Sequence, residues 1–344
     1  MTLSAVSGPG RSRNPATSDV VVRERPASVM RTPRFRFLAP MPPLEGEAGK
    51  WLADLRRIED LGFHSVAVSE HYSHGWAMDA LTAMNFALAS TTHLRVMSLV
   101  LNNDLHHPGM LAKSIATADV LSAGRVALGL GAGWLEDDYK ALGISYDPAP
   151  VRIARLGEAL QIITAFFGGE SLTCYGEHYK LYGLEALPRP VQSPRPPVFV
   201  GGGGAKMLAL GGHYADVVGV HLQHRGAGFD EMAAEGLSRT NVKKKISLVA
   251  AAASRAGRPF PEIQFTCYDV NIGGVQVTPF RPSFSDYINA HPENFADSPV
   301  SLRGDVDKCV DDLLRWNEEF GISYWSLGGN VDAIAPIVAR LSDE

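Results

Sequence analysis

The stretch Leu121-Ser-Ala-Gly-Arg-Val-Ala-Leu-Gly-Leu-Gly-Ala-Gly-Trp134 decides how the rest of the sequence is interpreted. It passes from a helix end through Gly124, which favours a helix stop, into a short apolar strand at residues 126–130. Three alternating glycines follow at the predicted carboxyl end of that strand: Gly129, Gly131 and Gly133. Backbone without side chains lets a ligand approach closely, and a helix starting near Trp134 would aim its unpaired N–H groups at an anion such as phosphate. Tight packing of backbone inside a barrel explains the same glycines equally well, so this stretch alone leaves both interpretations open.

Outward from this stretch, short apolar runs alternate with helical patterns from residue 34 to the end of the chain. The apolar runs predict eight strands, numbered in chain order: residues 35–38, 65–68, 95–101, 126–130, 197–200, 217–220, 263–270 and 323–327. The helical patterns cover residues 50–61, 79–90, 108–121, 152–167, 206–214, the segment up to about 256, 305–320 and 331–341. Eight strands in alternation with helices are the count of an α/β fold of the (β/α)8 TIM-barrel type, and continuous apolar runs are typical of strands buried on both faces. A doubly wound sheet would show fewer strands and a GxGxxG turn near its start, so we predict the barrel.

Three segments fall outside this alternation. Residues 1–33 carry five arginines among Pro, Ser and Gly, without the apolar stretch of a secretory signal, and we expect them to form a flexible N-terminal extension. Residues 34–344 are then a single barrel domain. Two insertions, residues 170–196 after strand four and 273–300 after strand seven, are candidates for lids that define the substrate.

Composition sets the broad class of the protein. The 344 residues suffice for one barrel of roughly 250 residues with insertions. Hydrophobic residues make up 45% and charged residues 20%, as in soluble globular enzymes. The net charge of -5 provides no basic field for nucleic acid, and no apolar run approaches the roughly 18 residues that span a bilayer. Three widely separated cysteines form neither a disulfide framework nor a zinc ribbon, so we expect a cytoplasmic protein without nucleic-acid or membrane partners.

Catalytic groups of TIM barrels come from the carboxyl ends of the strands and from the loops that follow them. Six predicted strands end in polar, aromatic or glycine residues: Ser69–Tyr72 after strand two, Asn102 and Asn103 with His106 and His107 after strand three, Gly131–Trp134 after strand four, Gly201–Gly204 after strand five, His221 and Gln223 after strand six, and Gly328 and Gly329 after strand eight. Gly201–Gly204 run into a predicted helix. Two glycine-rich ends on different strands therefore favour a phosphate-carrying ligand over tight turns that bind nothing.

His71 is the candidate proton carrier at the end of strand two, because an imidazole titrates near neutral pH. A structural histidine is the alternative. Glu70 would point to the other face if strand geometry persists, so the two residues need not be partners. His71 and His74, like His221 and His224, are three residues apart, but no clustered carboxylates accompany them and we predict no metal. The sequence contains no GxSxG motif, and no cysteine falls at a strand end with a histidine partner.

Together, these strand ends resemble those of the luciferase-like monooxygenase superfamily, which includes bacterial luciferase, FMN-dependent monooxygenases and reductases that use the deazaflavin coenzyme F420. The segments that carry the resemblance are Ser69-Glu-His71, Val100-Leu-Asn-Asn-Asp-Leu-His-His-Pro108, Leu121-Ser-Ala-Gly-Arg125 with Gly129-Leu-Gly-Ala-Gly133, Val200-Gly-Gly-Gly-Gly204 and Gly321-Ile-Ser-Tyr-Trp325. The resemblance extends from about residue 34 to the end of the chain, and the segments are specific as a set.

The resemblance implies a flavin or deazaflavin across the barrel mouth, with its phosphate between the loops after strands four and five. It also implies a non-prolyl cis peptide bond near residues 99–101, behind the ring. The cofactor-binding residues that follow are Ser69, His71, Leu99, Val100, Leu101, Asn102, Gly131, Ala132, Gly133, Trp134, Gly202, Gly203, Gly204 and His221. His71 matches a position that contacts the reactive ring edge in deazaflavin-dependent relatives, and we assign catalysis to His71 and Glu70.

The amino-acid sequences of these segments resemble those of the F420-dependent branch of the superfamily. We therefore expect coenzyme F420 and hydride transfer to or from an organic substrate, either a small molecule or one derived from a peptide. FMN with monooxygenation by molecular oxygen is the alternative, and the fold does not decide between them. A non-catalytic ligand-binding barrel is a second alternative and a metal-dependent hydrolase a third. Trp76, Trp134 and Trp325 are candidates for an apolar substrate cavity, with core packing for at least one, and a homodimer is a candidate assembly.

Overall fold

A computed structural model of the chain describes residues 3–5, 35–169, 171–223, 231–277, 282–295 and 297–342. Within these ranges eight parallel strands form a closed barrel: β1 Arg36–Pro40, β2 Ser65–Val68, β3 Arg95–Ser98, β4 Val126–Gly131, β5 Val198–Gly202, β6 Val217–Val220, β7 Glu262–Thr266 and β8 Ile322–Ser326. Each strand pairs with the next in chain order, and β8 pairs with β1 to close the ring. The prediction of a TIM barrel is confirmed.

One long helix follows each strand: α1 Ala48–Asp60, α2 Ala80–Ser90, α3 Pro108–Leu121, α4 Ala149–Phe167, α5 Ala205–Tyr214, α6 Arg239–Arg255, α7 Val306–Phe320 and α8 Val331–Leu341. Shorter helical segments lie in the loops: Asn103–Leu105, Glu136–Leu142, Glu231–Glu235, Pro282–Ala290 and Pro292–Phe295. Local chemistry sets several helix starts. The Asp79 side chain accepts a hydrogen bond from Thr82 N at 2.8 Å and caps α2, and Pro108 occupies the first turn of α3, where its missing N–H is not needed.

The core has two parts. The larger part fills the space between the strands and the surrounding helices. The smaller part fills the barrel interior with Leu38, Ala67, Met97, Phe199, Val217 and Tyr324. The strands β2 and β6 are buried at every position, which explains their continuous apolar runs. Because side chains fill the interior, the loops at the carboxyl ends of the strands form the natural binding surface of this barrel.

The third strand is shorter than the apolar run 95–101 predicts. β3 ends at Ser98, and a two-residue strand, Leu101–Asn102, then pairs with β4. The Leu99–Val100 peptide bond between them is cis and does not involve proline, which confirms the bond expected near residues 99–101.

The seventh strand is also divided. β7 ends at Thr266, and Asp269–Ile272 joins a separate small sheet with Val275–Gln276 and Ser301–Gly304. The residues on both sides of the break are mostly buried. The hydrophobic pattern of residues 263–270 therefore does not show where β7 ends.

The first insertion forms a hairpin of Leu172–Tyr175 and Lys180–Leu184, to which Leu3–Ala5 adds a third strand. The hairpin packs on the outer wall of the barrel: Glu158 of α4 accepts hydrogen bonds from the backbone of residues 177–179. The hairpin also reaches the loop after β3, where the Tyr179 hydroxyl accepts a hydrogen bond from Asn103 Nδ2 at 3.2 Å, and the lid role expected for this insertion stays a prediction. The remainder of the proposed N-terminal extension lies outside the described residues.

The second insertion follows β7 on the mouth side of the barrel. Its helix Pro282–Ala290 contacts the loop after β6, where Tyr287 Oη donates to Glu235 Oε1 at 3.3 Å. That position suits a lid, and its role as a lid stays a prediction. In the described ranges, no helix combines the length and apolarity needed to cross a bilayer.

Candidate active site

The loops after β2 and β3 meet at the barrel mouth. The Ser69 hydroxyl donates to the Leu99 carbonyl oxygen at 2.8 Å, directly before the cis peptide bond. Val100, after that bond, packs against the side chains that fill the barrel interior. Leu101 is fully buried, so its side chain belongs to the core. Ser69 thus fixes the segment that carries the cis bond.

Glu70 is buried and braces the loop after β3. Its Oε2 accepts a hydrogen bond from Asn102 N at 2.8 Å, and its Oε1 lies 2.8 Å from His106 Nε2. The Tyr72 hydroxyl approaches Oε1 at 3.5 Å. None of these contacts involves His71. Glu70 therefore has a structural task, and the catalytic role expected for it stays a prediction.

His71 pairs with a carboxylate from the loop after β4. Its Nδ1 lies 2.7 Å from Oδ2 of Asp138, which belongs to the short helix Glu136–Leu142. The other oxygen, Oδ1, accepts hydrogen bonds from Tyr72 N at 2.9 Å and from Ser73 Oγ at 2.6 Å. Burial alone would raise the pKa of Asp138, but the hydrogen bonds that its oxygens accept outweigh burial and hold the pKa below its ordinary value. The carboxylate is therefore ionised at neutral pH and acts only as an acceptor.

Two tryptophan rings flank His71. The ring centroids of Trp76 and Trp134 lie 4.8 Å and 5.7 Å from that of the imidazole. Trp76 is 47% exposed and stands at the mouth. Trp325, in contrast, is fully buried and packs on Trp316 at 5.7 Å. The expectation that at least one of the three tryptophans is a core residue is confirmed, and the other two form an apolar wall beside His71.

The glycine-rich end of β4 has its carbonyl oxygens engaged by the protein. Arg152 Nη1 donates to the carbonyl oxygens of Ala132, at 2.8 Å, and of Gly133. The Tyr146 hydroxyl donates to the Trp134 carbonyl oxygen at 3.0 Å. No described residue accepts a hydrogen bond from the N–H groups of Ala132 and Gly133. This loop therefore offers backbone donors to a ligand while its acceptors are already satisfied.

The glycine-rich end of β5 lies beside this loop, because β4 and β5 are neighbours and Leu130 pairs with Val200. Within the described chain, the N–H groups of Gly203 and Gly204 likewise have no acceptor. The helix α5 begins immediately afterwards at Ala205, and the first N–H groups of a helix have no partner inside it. Two loops with unused donors therefore meet on one side of the mouth, and they suit an anionic group.

Close packing requires some of the same glycines. Gly133 has a φ of +73°, and a Cβ there would lie 2.0 Å from the Tyr139 hydroxyl. A Cβ at Gly203 would lie 2.4 Å from Gln223 N. Packing within the chain therefore excludes side chains at both glycines, and ligand binding by the N–H groups that lack a described acceptor stays a prediction.

The other predicted cofactor residues lie at the mouth with their polar groups engaged by the protein. Gly131 pairs with Asn102, whose Oδ1 accepts a hydrogen bond from the Tyr139 hydroxyl at 3.1 Å. The Gly202 carbonyl oxygen accepts from His221 N at 3.1 Å. Among the described residues no group of three or more His, Cys, Asp and Glu could hold a metal ion.

Comparison with known proteins identifies a matching family. The family model of the luciferase-like monooxygenases matches residues 41–270, more than half of the chain. This chain belongs to that family.

Relatives within the luciferase-like family differ in chemistry. The 4-hydroxyprotoasukamycin monooxygenase of Streptomyces nodosus subsp. asukaensis is 32% identical over 311 residues, which cover 83% of this chain and 82% of that protein. The F420-dependent glucose-6-phosphate dehydrogenase of Microbacterium testaceum (strain StLB037) is 33% identical over 164 residues, 46% of this chain and 48% of that protein. The chain thus spans about half the length of the F420-dependent relatives of this kind. A solved F420-dependent secondary alcohol dehydrogenase, in complex with an F420-acetone adduct, aligns with a TM-score of 0.68 at 18% identity, covering 90% of this chain and 98% of that one. At that identity the likeness shows the shared fold.

Two residues of this luciferase-like site escaped the sequence analysis. Asp138 stands in an acidic run, and acids in the first turn of a helix are usually explained by the helix dipole. The position of Asp138 soon after the glycine-rich end of β4 was the feature of the sequence that could have identified it. Arg152 lies inside α4 with no distinguishing motif, and only the fold shows that its guanidinium reaches back to the β4 loop.

Proposed function

We propose that this luciferase-like enzyme is an F420-dependent oxidoreductase in which His71 gives or takes a proton. One observation carries the proposal: the unused N–H groups of Ala132, Gly133, Gly203 and Gly204 line one side of the mouth. Backbone donors without competing acceptors fit the phosphate of a flavin-type cofactor. The same loops leave no room for side chains at Gly133 and Gly203, so the backbone stays accessible at close range.

When bound, the deazaflavin supplies or accepts a hydride. Leu99 and Val100, on either side of the cis bond, are the residues that would hold its ring. Trp76 and Trp134 keep water away from one side of His71, which strengthens the electrostatic interactions of the imidazole. His71 then holds or moves the proton that accompanies the two-electron change in the substrate, a small organic molecule or one derived from a peptide.

FMN is the second candidate cofactor, and one observation favours it. The relative that matches this chain over 83% of its length is named a monooxygenase. A phosphate-binding pair of loops serves FMN and F420 equally well, because both carry a phosphate. With FMN, the enzyme would be a luciferase-like monooxygenase that uses molecular oxygen.

Separate titrations with F420 and FMN test the proposal, with binding followed by quenching of cofactor fluorescence. We expect saturable F420 binding with a dissociation constant in the micromolar range or below, and weaker FMN binding. Tight FMN binding without a response to F420 would overturn the assignment in favour of the monooxygenase. Failure of both cofactors to bind would favour the non-catalytic barrel. Oxygen consumption with reduced FMN provides an independent readout of the second candidate.

A further inference from the structure

The contacts of Asp138 determine which nitrogen of His71 carries a proton. An ionised carboxylate has no hydrogen to donate, so the 2.7 Å contact between Oδ2 and His71 Nδ1 requires the hydrogen to be on Nδ1. In the neutral ring the lone pair is then on Nε2. Nδ1 is occupied by Asp138, and no described residue makes a hydrogen bond to Nε2, so Nε2 is the nitrogen that remains for a substrate.

Asp138 is itself held on both sides. Its side chain is only 4% exposed, and its second oxygen accepts hydrogen bonds from Tyr72 N and Ser73 Oγ, in the loop that also carries His71. The carboxylate therefore closes a small ring with residues 71–73. A carboxylate held in this way has little freedom to turn, and neither has the imidazole that it orients.

The short helix that carries Asp138 also contacts the β4 loop. The hydroxyl of its next residue, Tyr139, lies 3.1 Å from Asn102 Oδ1 and 3.0 Å from Asp104 Oδ2 and shares its single hydrogen between these two acceptors. The Tyr139 hydroxyl is the group against which Gly133 packs. The helix Glu136–Leu142 thus joins the loop with unused N–H groups to the loop of His71.

We infer that Asp138 is the positioning residue of His71: it fixes the tautomer with hydrogen on Nδ1 and presents Nε2 at the mouth as the atom that exchanges a proton. The catalytic consequence rests on the proposed function, whereas the tautomer is a property of the chain itself. Among the described residues, no other carboxylate makes a hydrogen bond to His71. The neighbouring Glu70 instead contacts Asn102 N and His106 Nε2.

The variant Asp138→Asn tests this inference, because the structure dictates how the amide must sit. Tyr72 N and Ser73 Oγ both donate to Oδ1, so the amide oxygen takes that place and the NH2 group faces His71 Nδ1. An NH2 group donates, and Nδ1 must then be the bare nitrogen. The substitution therefore moves the hydrogen to Nε2 with almost no change in shape.

The matched control is Asp137→Asn, one residue earlier. Asp137 is exposed and contacts His74 Nε2 at 2.8 Å instead of His71. The Asp137→Asn substitution removes the same charge from the same helix and leaves the contact between Asp138 and His71 intact. A second variant, Ser73→Ala, removes one donor to Oδ1 and keeps the acceptor that faces Nδ1, so the original tautomer should persist.

Nitrogen NMR of protein labelled with ¹⁵N-histidine reports the tautomer without any cofactor, because protonated and bare ring nitrogens have well-separated shifts. The His71 signals are assigned by their loss in His71→Ala. We expect hydrogen on Nδ1 in the wild type, Asp137→Asn and Ser73→Ala, and on Nε2 in Asp138→Asn. A bare Nδ1 in the wild-type protein overturns the inference even if Asp138→Asn does not fold, and so does an unchanged tautomer in a folded Asp138→Asn.

Turnover of the enzyme supplied with reduced F420 and menadione is the catalytic readout: reduced F420 gives a hydride to this neutral quinone and is itself oxidised. We expect Asp138→Asn to lower kcat by about 100-fold, within the range of general acid–base effects, with F420 affinity changed less than threefold. Asp138→Glu, which restores a carboxylate, should recover part of the rate. If F420 does not bind at all, the proposed function fails, while the NMR result still decides the role of Asp138.

Discussion

Gly133→Ala is the substitution whose effect the structure specifies most fully. The residue has a φ of +73°, which costs a residue with a side chain about 1 kcal/mol. Its Cβ would also lie 2.0 Å from the Tyr139 hydroxyl and 2.7 Å from Asn102 Oδ1. Because Tyr139 is fully buried, it must move and weaken its hydrogen bonds, and forced repacking of this kind costs about 2–4 kcal/mol more. We expect the free energy of unfolding to fall by about 3–5 kcal/mol.

That loss translates into a measurable change in Tm. Unfolding entropy is about 2.1 cal/mol/K per residue, or roughly 0.7 kcal/mol/K for the 344 residues, so Tm should fall by about 4–7 °C in differential scanning calorimetry. Gly143→Ala is the matched control: Gly143 has a φ of +68°, and nothing lies within 4 Å of its Cβ position. It carries the conformational cost alone, and its Tm should fall by about 1–2 °C. Equal shifts for the two variants would refute the argument from Tyr139.

The Gly133→Ala and Gly143→Ala variants should also differ in their affinity for the cofactor. A displaced Tyr139 disturbs the loop that bears the unused N–H groups of Ala132 and Gly133. F420 affinity of folded Gly133→Ala should therefore fall at least tenfold, and that of Gly143→Ala should stay within twofold of the wild type. Fluorescence quenching measures both values. An unchanged affinity for Gly133→Ala would mean that this loop does not hold the cofactor.

Three further predictions concern His71, Asp138 and the buried Asp119. His71→Ala should lower kcat by about 100-fold or more while changing F420 affinity less than threefold, and unchanged turnover would remove His71 from the mechanism. The pKa of Asp138 is lowered in the folded state, so its contribution to stability is present above the ordinary carboxyl pKa of about 4 and is lost as pH falls through the lower folded value. The difference in Tm between wild type and Asp138→Asn should accordingly shrink on acidification; a constant difference would contradict the assignment. Asp119 is fully buried and accepts hydrogen bonds from Val191 N at 2.6 Å and from Gln192 Nε2 at 2.6 Å, so Asp119→Ala should lower the unfolding free energy by about 3 kcal/mol in urea denaturation, whereas a loss below about 1 kcal/mol would show that these donors find other partners.

Much of the barrel could be predicted because hydrophobic periodicity reports burial. Strands such as Val217–Val220 are buried at every position, and the helix Val331–Leu341 alternates buried and exposed faces, so both leave a clear pattern in the chain. The resemblance of the strand ends placed a cis bond near residues 99–101, and the structure has it between Leu99 and Val100. Where burial continues through a change of direction, as between β7 and Asp269–Ile272, periodicity carries no information about the break.

The partners within the site could not be predicted in this way. Glu70 and His71 are adjacent in sequence, yet Glu70 contacts His106 and His71 contacts Asp138. Neighbouring residues at a strand end point in different directions, and their partners come from whichever loops the closed barrel brings alongside. The sequence by itself therefore determined the barrel, its mouth and the two glycine-rich loops. Only the tertiary structure decided which carboxylate orients His71, because that choice depends on contacts between loops that lie 67 residues apart in the chain.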